Sequence, residues 1–175
     1  MKKHYLLVLA TIILITSTIS IANPIKQKET ADKSTLYTGM TIYVDNNNTQ
    51  GPWNGSYDYP YRYIRDGILH ASDGDTVYVF NGLYNETVIL NKSIYFRGQQ
   101  QDNTIIDGHN NGSVIYVNID NVRIRGFTIR NSGGYQGNAG ITINANNATI
   151  TESTIYRSRT GISVKNSSKT IMTNC

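Results

Sequence analysis

Cysteine occurs once in this 175-residue chain, at Cys175, so no intrachain disulfide can form and any fold must hold by packing and hydrogen bonding. Histidine and methionine are also few, with three of each. Met1 and His4 stand at the very N-terminus, while Met40, His70, His109, Met172 and Cys175 are scattered without ligand spacing. That excludes a copper site, and no metal or cofactor is expected. Clustered basic residues are missing too. The formal net charge of +4 is spread along the chain and owes part of its value to Lys2 and Lys3, so nucleic acid is not an expected partner. Long apolar runs are also absent apart from Tyr5–Ile15, which is too short to span a bilayer comfortably.

That run belongs to a recognisable export pattern. Lys2, Lys3 and His4 precede it, small and polar residues follow from Thr16, and Ser20-Ile-Ala22 supplies the small-residue ending of a secretory signal peptide over residues 1–22. No cysteine near Ala22 offers a lipoprotein anchor, and no membrane insertion is expected after cleavage. Residues 23–39 are polar, with Lys26, Lys28, Glu29, Asp32 and Lys33 and little apolar periodicity, and are expected to form a disordered leader. The secreted remainder suffices for one domain.

What the sequence has is repetition. Asn121-Val-Arg-Ile-Arg-Gly-Phe-Thr-Ile-Arg-Asn-Ser132 and Asn147-Ala-Thr-Ile-Thr-Glu-Ser-Thr-Ile-Tyr-Arg-Ser158 are near-copies, each a strand, a one-residue corner at Gly126 or Glu152, and a second strand. A glycine-led strand follows each, Gly140–Asn144 and Gly161–Lys165, so one unit holds three short strands. Ser93–Gly98 and Thr170–Cys175 fit the same frame, placing Ile94, Val122, Ala148 and Thr170 in one column at steps that shorten toward the C-terminus. Recurrence at this period, with insertions between strands, predicts a solenoid whose coils stack apolar ladders: Phe96/Ile124/Ile150/Met172, Ile115/Ile141/Ile162 and Val117/Ile143/Val164. An antiparallel sandwich would alternate similarly but would not repeat the strand–corner–strand phrase in register.

These rungs, with Ala71-Ser-Asp-Gly-Asp-Thr-Val-Tyr-Val79 and Asn81–Gly98 upstream, resemble the right-handed parallel β-helix proteins of the pectin-lyase-like superfamily, and more closely the uncharacterised surface proteins of archaea and bacteria with such repeats. The resemblance covers about residues 41–175 and implies an all-β, right-handed parallel β-helix of three-strand coils. It also implies a short capping helix before the first rung. It does not choose a function, because the superfamily includes pectate lyases, pectin esterases, polygalacturonases, adhesins and a copper-linked accessory protein.

Residues 40–75 are expected to hold an N-terminal strand at Thr41–Asp45, a loop and this helix, with the coils over residues 76–175. Pro60 suits the first helical position, and Ile64, Ile68 and Ala71 share a face, which predicts a helix over Pro60–Ala71 with Asp58 or Tyr59 as its cap. Trp53, Tyr57, Tyr59, Tyr61 and Tyr63 either form a sugar-stacking platform or cover the solenoid's open end. Asp73-Gly-Asp75 predicts a tight turn, and Gln99–Asn103 and Asn131–Asn138 are insertions between strands. Cys175 aligns with Phe127 and Ser153 in mid-coil, so the chain is expected to be a fragment of a longer protein.

Catalytic inventories are thin. Asp102, Asp107 and Asp120 with Arg123, Arg125 and Arg130 match a calcium-dependent lyase by residue type only. No carboxylate pair stands at i, i+2 on one strand face, and Asp107-Gly108 and Asp120-Asn121 read as turn formers. The outward residues are more informative. Tyr95 aligns with Arg123 and Arg97 with Arg125, so two adjacent rungs present a patch in which the arginines either stack on one another and on Tyr95 to cover the rung edges or contact an anionic partner such as a uronate or sulfate. N-glycosylation sequons begin at Asn47, Asn54, Asn85, Asn91, Asn111, Asn147 and Asn166. The expectation is a non-catalytic secreted or cell-surface module that contacts polysaccharide, surface glycan or a protein partner. The rival is the N-terminal part of a polysaccharide-active enzyme, a lyase, esterase or hydrolase, with its catalytic coils beyond Cys175.

Overall fold

The computed structural model describes residues 39–175, so the expected signal peptide and nearly all of the expected leader lie outside the described residues. Gly39 itself donates its N–H to the Gly74 carbonyl at 3.1 Å, and Met40 donates to Asp75 Oδ1 at 2.8 Å, which ties this end to the first coil.

Strand β1 (Thr41–Val44) and helix α1 (Ile64–His70) come first. Three full coils follow: β2 (Thr76–Val79), β3 (Gly82–Tyr84) and β4 (Val88–Leu90); β5 (Tyr95–Gly98), β6 (Thr104–Asp107) and β7 (Ile115–Val117); β8 (Arg123–Arg125), β9 (Thr128–Arg130) and β10 (Ile141–Ile143). A fourth holds β11 (Ala148–Thr151), β12 (Thr154–Tyr156) and β13 (Ile162–Val164), and β14 (Thr170–Thr173) adds one more rung. The strands stack in three parallel sheets, β1-β2-β5-β8-β11-β14, β4-β7-β10-β13 and β3-β6-β9-β12. This is the coil anticipated from the repeat.

Register follows from the two-residue period, because a slip by one would turn every apolar side chain outward. Ile42, Val77, Phe96, Ile124 and Ile150 form one inward column, which Met172 continues in register at the last rung, where it is exposed. Val88, Ile115, Ile141 and Ile162 form another, and Tyr84, Ile106, Ile129 and Ile155 a third. Phe96 and Phe127 add a ring stack inside, with centroids 4.4 Å apart. Each buried isoleucine contributes about 1.5–3 kcal/mol from its apolar area. The ladders therefore carry the stability that a disulfide cannot.

The corners are where the backbone leaves the extended region. Gly126 and Glu152 have φ of 80° and 46°, and the Gly126 N–H donates to the Glu152 carbonyl at 3.0 Å, so the two stack corner on corner. Asn121 and Asn147 occupy another corner at φ 62° and 54°, and Asn147 Nδ2 donates to Asn121 Oδ1 at 3.2 Å. Asparagine tolerates this left-handed conformation and links successive rungs through its side chain.

The helix differs from expectation. It begins at Ile64, not Pro60, because the residues after Pro60 are drawn into β1: Tyr61 donates to the Tyr43 carbonyl at 2.9 Å and accepts from Asp45 at 2.8 Å. Neither Asp58 nor Tyr59 caps it. Glu86, from the turn after β3, reaches back so that its two carboxylate oxygens accept from the N–H groups of Ile64 (2.9 Å) and Arg65 (3.1 Å). Burial of this carboxyl, only partly offset by those hydrogen bonds, raises its pKa above the ordinary glutamate value.

Candidate functional site

Alternation that buries Ile42, Val77, Phe96 and Ile124 turns their neighbours out on the six-stranded sheet. Two outward columns result: Thr76, Tyr95, Arg123 and Thr149, and beside them Tyr43, Tyr78, Arg97, Arg125 and Thr151. All four patch residues, Tyr95, Arg97, Arg123 and Arg125, stand in these columns.

Their side chains separate in a way that register alone does not indicate. Arg97 lies over the ring of Tyr78, one rung back, at 5.4 Å, and Arg123 lies over Tyr95 at 5.5 Å. Arg125 turns the other way. Its Nε and a terminal guanidinium nitrogen both sit 2.8 Å from Glu152 Oε2, and the hydrogen bonds to Glu152 and then Tyr95 raise the guanidinium pKa. Both partners are half-exposed, so the pair adds little stability, but it neutralises one cation of the patch. Like charges on adjacent rungs are thereby kept apart, leaving Arg97 and Arg123 without a carboxylate partner among the described residues.

Aromatic rings continue the face toward the N-terminus. Tyr43 meets Tyr78 at 5.8 Å, Phe80 at 5.9 Å and Tyr57 at 5.3 Å, and Tyr57 contacts Phe80 at 5.7 Å. Tyr57, expected to belong to either a platform or an end cover, thus belongs to this outer face. Tyr61 is half-buried against the core, and Trp53, Tyr59 and Tyr63 are exposed.

A second outward column lies on the β3-β6-β9-β12 sheet, where Asp107, Arg130 and Tyr156 stack over three rungs. Asp107 Oδ2 accepts from Arg130 Nε and Asn131 Nδ2, each at 2.8 Å, and Oδ1 accepts from the His109 N–H at 3.0 Å. Burial opposes ionisation, yet the donors from Asn131, His109 and Arg130 outweigh it and hold the Asp107 pKa below the ordinary aspartate range. Such a satisfied carboxylate clamps corners. Asp120 does similar work, accepting from the Asn146 N–H at 2.7 Å, while Asp102 is exposed in the turn after β5. Among the described residues, no three His, Cys, Asp or Glu side chains converge as metal ligands would. The seven sequon asparagines are all exposed.

Sequence reasoning missed Glu152 as the partner of Arg125 and the Tyr43–Tyr57–Tyr78–Phe80 cluster. A signal for the cluster was present. Thr41-Ile-Tyr-Val44 and Thr76-Val-Tyr-Val79 are near-copies, and aligning them with Tyr95–Gly98 would have extended the outward columns by two rungs.

No protein-family model and no curated protein matches the sequence. Among solved structures, a pectin methylesterase crystallised with a hexasaccharide superposes with a TM-score of 0.53 at 15% identity, over 68% of this chain and 46% of that one. Pectin methylesterase PemA from Erwinia chrysanthemi gives a TM-score of 0.52 at 14% identity, over 78% of this chain and 46% of its own. The chain thus spans just under half the length of these enzymes. Likeness at such identity concerns architecture, and with the three parallel sheets it establishes that this chain is a right-handed parallel β-helix of the pectate-lyase-like fold.

Proposed function

We propose that this chain is a non-catalytic, secreted or cell-surface module that binds acidic polysaccharide on the outer face of its six-stranded sheet. One observation carries the reading: Arg97 and Arg123, on adjacent rungs, lack carboxylate partners among the described residues and each rests on a tyrosine of the preceding rung. A guanidinium beside an aromatic ring with no carboxylate partner retains donors for a bidentate contact with a uronate or sulfate group. Beside them the exposed ring of Tyr57, packed on Tyr43 and Phe80, offers the carbon-hydrogen face of a pyranose ring an apolar surface. Rungs recur at about 4.8 Å, so a polymer running across the rungs would meet successive outward pairs.

Calorimetric titration with oligogalacturonates and matched neutral oligosaccharides tests this. Arg97→Ala/Arg123→Ala should abolish the preference for the acidic series, whereas Arg125→Ala, already neutralised by Glu152, should weaken binding much less. Equal binding of both series, or unchanged binding in the double variant, would remove the reading.

A second reading, that the chain is part of a polysaccharide-active enzyme, draws support from the fold it shares with longer pectin methylesterases. Methanol release from methyl-esterified pectin would favour it.

A further inference from the structure

A second surface feature, sharing no residue with the arginine patch, stands where the loop after β1 meets α1. Trp53, Tyr61, Arg62, Tyr63, Asp66 and His70 line an open cleft of about 380 Å³. That volume lies within the range of roughly 300–1,000 Å³ usual for small-molecule sites.

The rings are held in place without a ligand. Trp53 Nε1 donates to the Asn48 carbonyl at 2.9 Å, which fixes the indole edge, while half of the side chain stays exposed. Tyr61 is pinned by its main-chain bonds to β1, and its ring stacks on His70 at 4.7 Å and 15°. His70 Nδ1 is in turn 2.9 Å from the Asp66 carbonyl oxygen, fixing the outer ring of the stack. Rigid rings lose little freedom on binding, so this wall is prepared for a flat apolar face.

The polar groups indicate which ligand. Arg65 pairs with Asp66 at 3.5 Å and lies over the Tyr63 ring at 4.7 Å. Arg62 also lies over that ring, at 5.4 Å, but has no carboxylate partner among the described residues. The cleft therefore combines aromatic walls, one uncompensated guanidinium and the Asp66 carboxylate as a hydroxyl acceptor. We propose that it binds a single pyranose residue bearing a carboxylate, a uronate, with its ring against Trp53 and its acid group on Arg62. This would be a second saccharide site, independent of the Arg97–Arg123 face.

Trp53 is the only tryptophan in the chain, so its emission reports on this cleft. Titrating the full chain with monomeric and dimeric galacturonate should give a saturable change in that emission, with a clearly weaker response to galactose. Arg62→Ala should weaken galacturonate binding about tenfold or more, as loss of a charge-assisted hydrogen bond does. Arg97→Ala/Arg123→Ala should leave the signal intact. A flat emission titration alongside calorimetric binding that depends on Arg97 and Arg123 would overturn the cleft and spare the face. An emission change lost in that double variant, or one insensitive to Arg62→Ala, would overturn the cleft as well. Trp53→Phe followed by calorimetry gives a second measure, since it keeps an aromatic wall and should retain the Arg62-dependent binding.

Discussion

Ile124 sits between Phe96 and Ile150 on adjacent rungs and is 1% exposed, whereas the next outward residue along the sheet, Thr149, stands beside Arg123. Ile124→Asp buries a charge with no partner and should cost several kcal/mol, while Thr149→Asp should cost well under ~1 kcal/mol. Urea midpoints of the two variants check this, and equal tolerance would break the register. Asp107 makes a pH prediction. Its pKa is depressed in the fold, so its contribution is present above the unfolded value of about 3.9 and is lost as pH falls through the folded value. Asp107→Asn should therefore flatten the acid limb of a stability profile, below about pH 4. A residue's facing was legible in the sequence because alternation fixes it. Its partner was not, since Arg125 had two neighbouring rungs within reach and chose Glu152, 27 positions away.

At the scale of elements, the strands were readable and the helix start was not. Corners at Gly126 and Glu152 could be placed because the same phrase recurs around them, and both have positive φ. The helix obeyed a non-local rule. Proline at the first helical position is a local preference, but main-chain bonds to Tyr43 and Asp45 held the chain extended past Tyr61, and the cap came from Glu86. Glu86→Ala should cost about 0.5–2 kcal/mol by freeing two N–H groups, and Glu86→Gln, which keeps one acceptor, should cost less. The pH sign is opposite to that of Asp107. Because the folded pKa of Glu86 is raised, its contribution is full below about 4.3 and declines as pH rises through the folded value, a decline that Glu86→Gln should remove. Thermal midpoints from about pH 2 to 7 measure both slopes. Between β5 and β8 the coils approach so closely that a side chain at Gly98 would strike the Gly126 carbonyl, whereas space at Gly161 is open. Gly98→Ala should cost about 1–3 kcal/mol, and Gly161→Ala should be near neutral.

For the molecule as a whole, stacking explains both what was legible and what was not. One coil cannot bury its own stripe, so the sequence must repeat its pattern, and repetition is visible without coordinates. Binding chemistry sits on the outward positions, which stacking does not constrain. Tyr43, Tyr78, Arg97 and Arg123 became a face only when β1 and β2 joined the sheet that carries β5 and β8. Arg97 is exposed and Arg123 half-buried, so binding should also fall as salt screens them. The most direct measurement is a map of backbone amide shift changes on adding an oligogalacturonate of several residues. The account predicts a continuous stripe of changes across β1, β2, β5 and β8 around Tyr43, Tyr78, Tyr95, Arg97 and Arg123, weakening with salt. Changes confined to the faces of the other two sheets, or none at saturating ligand, would contradict it.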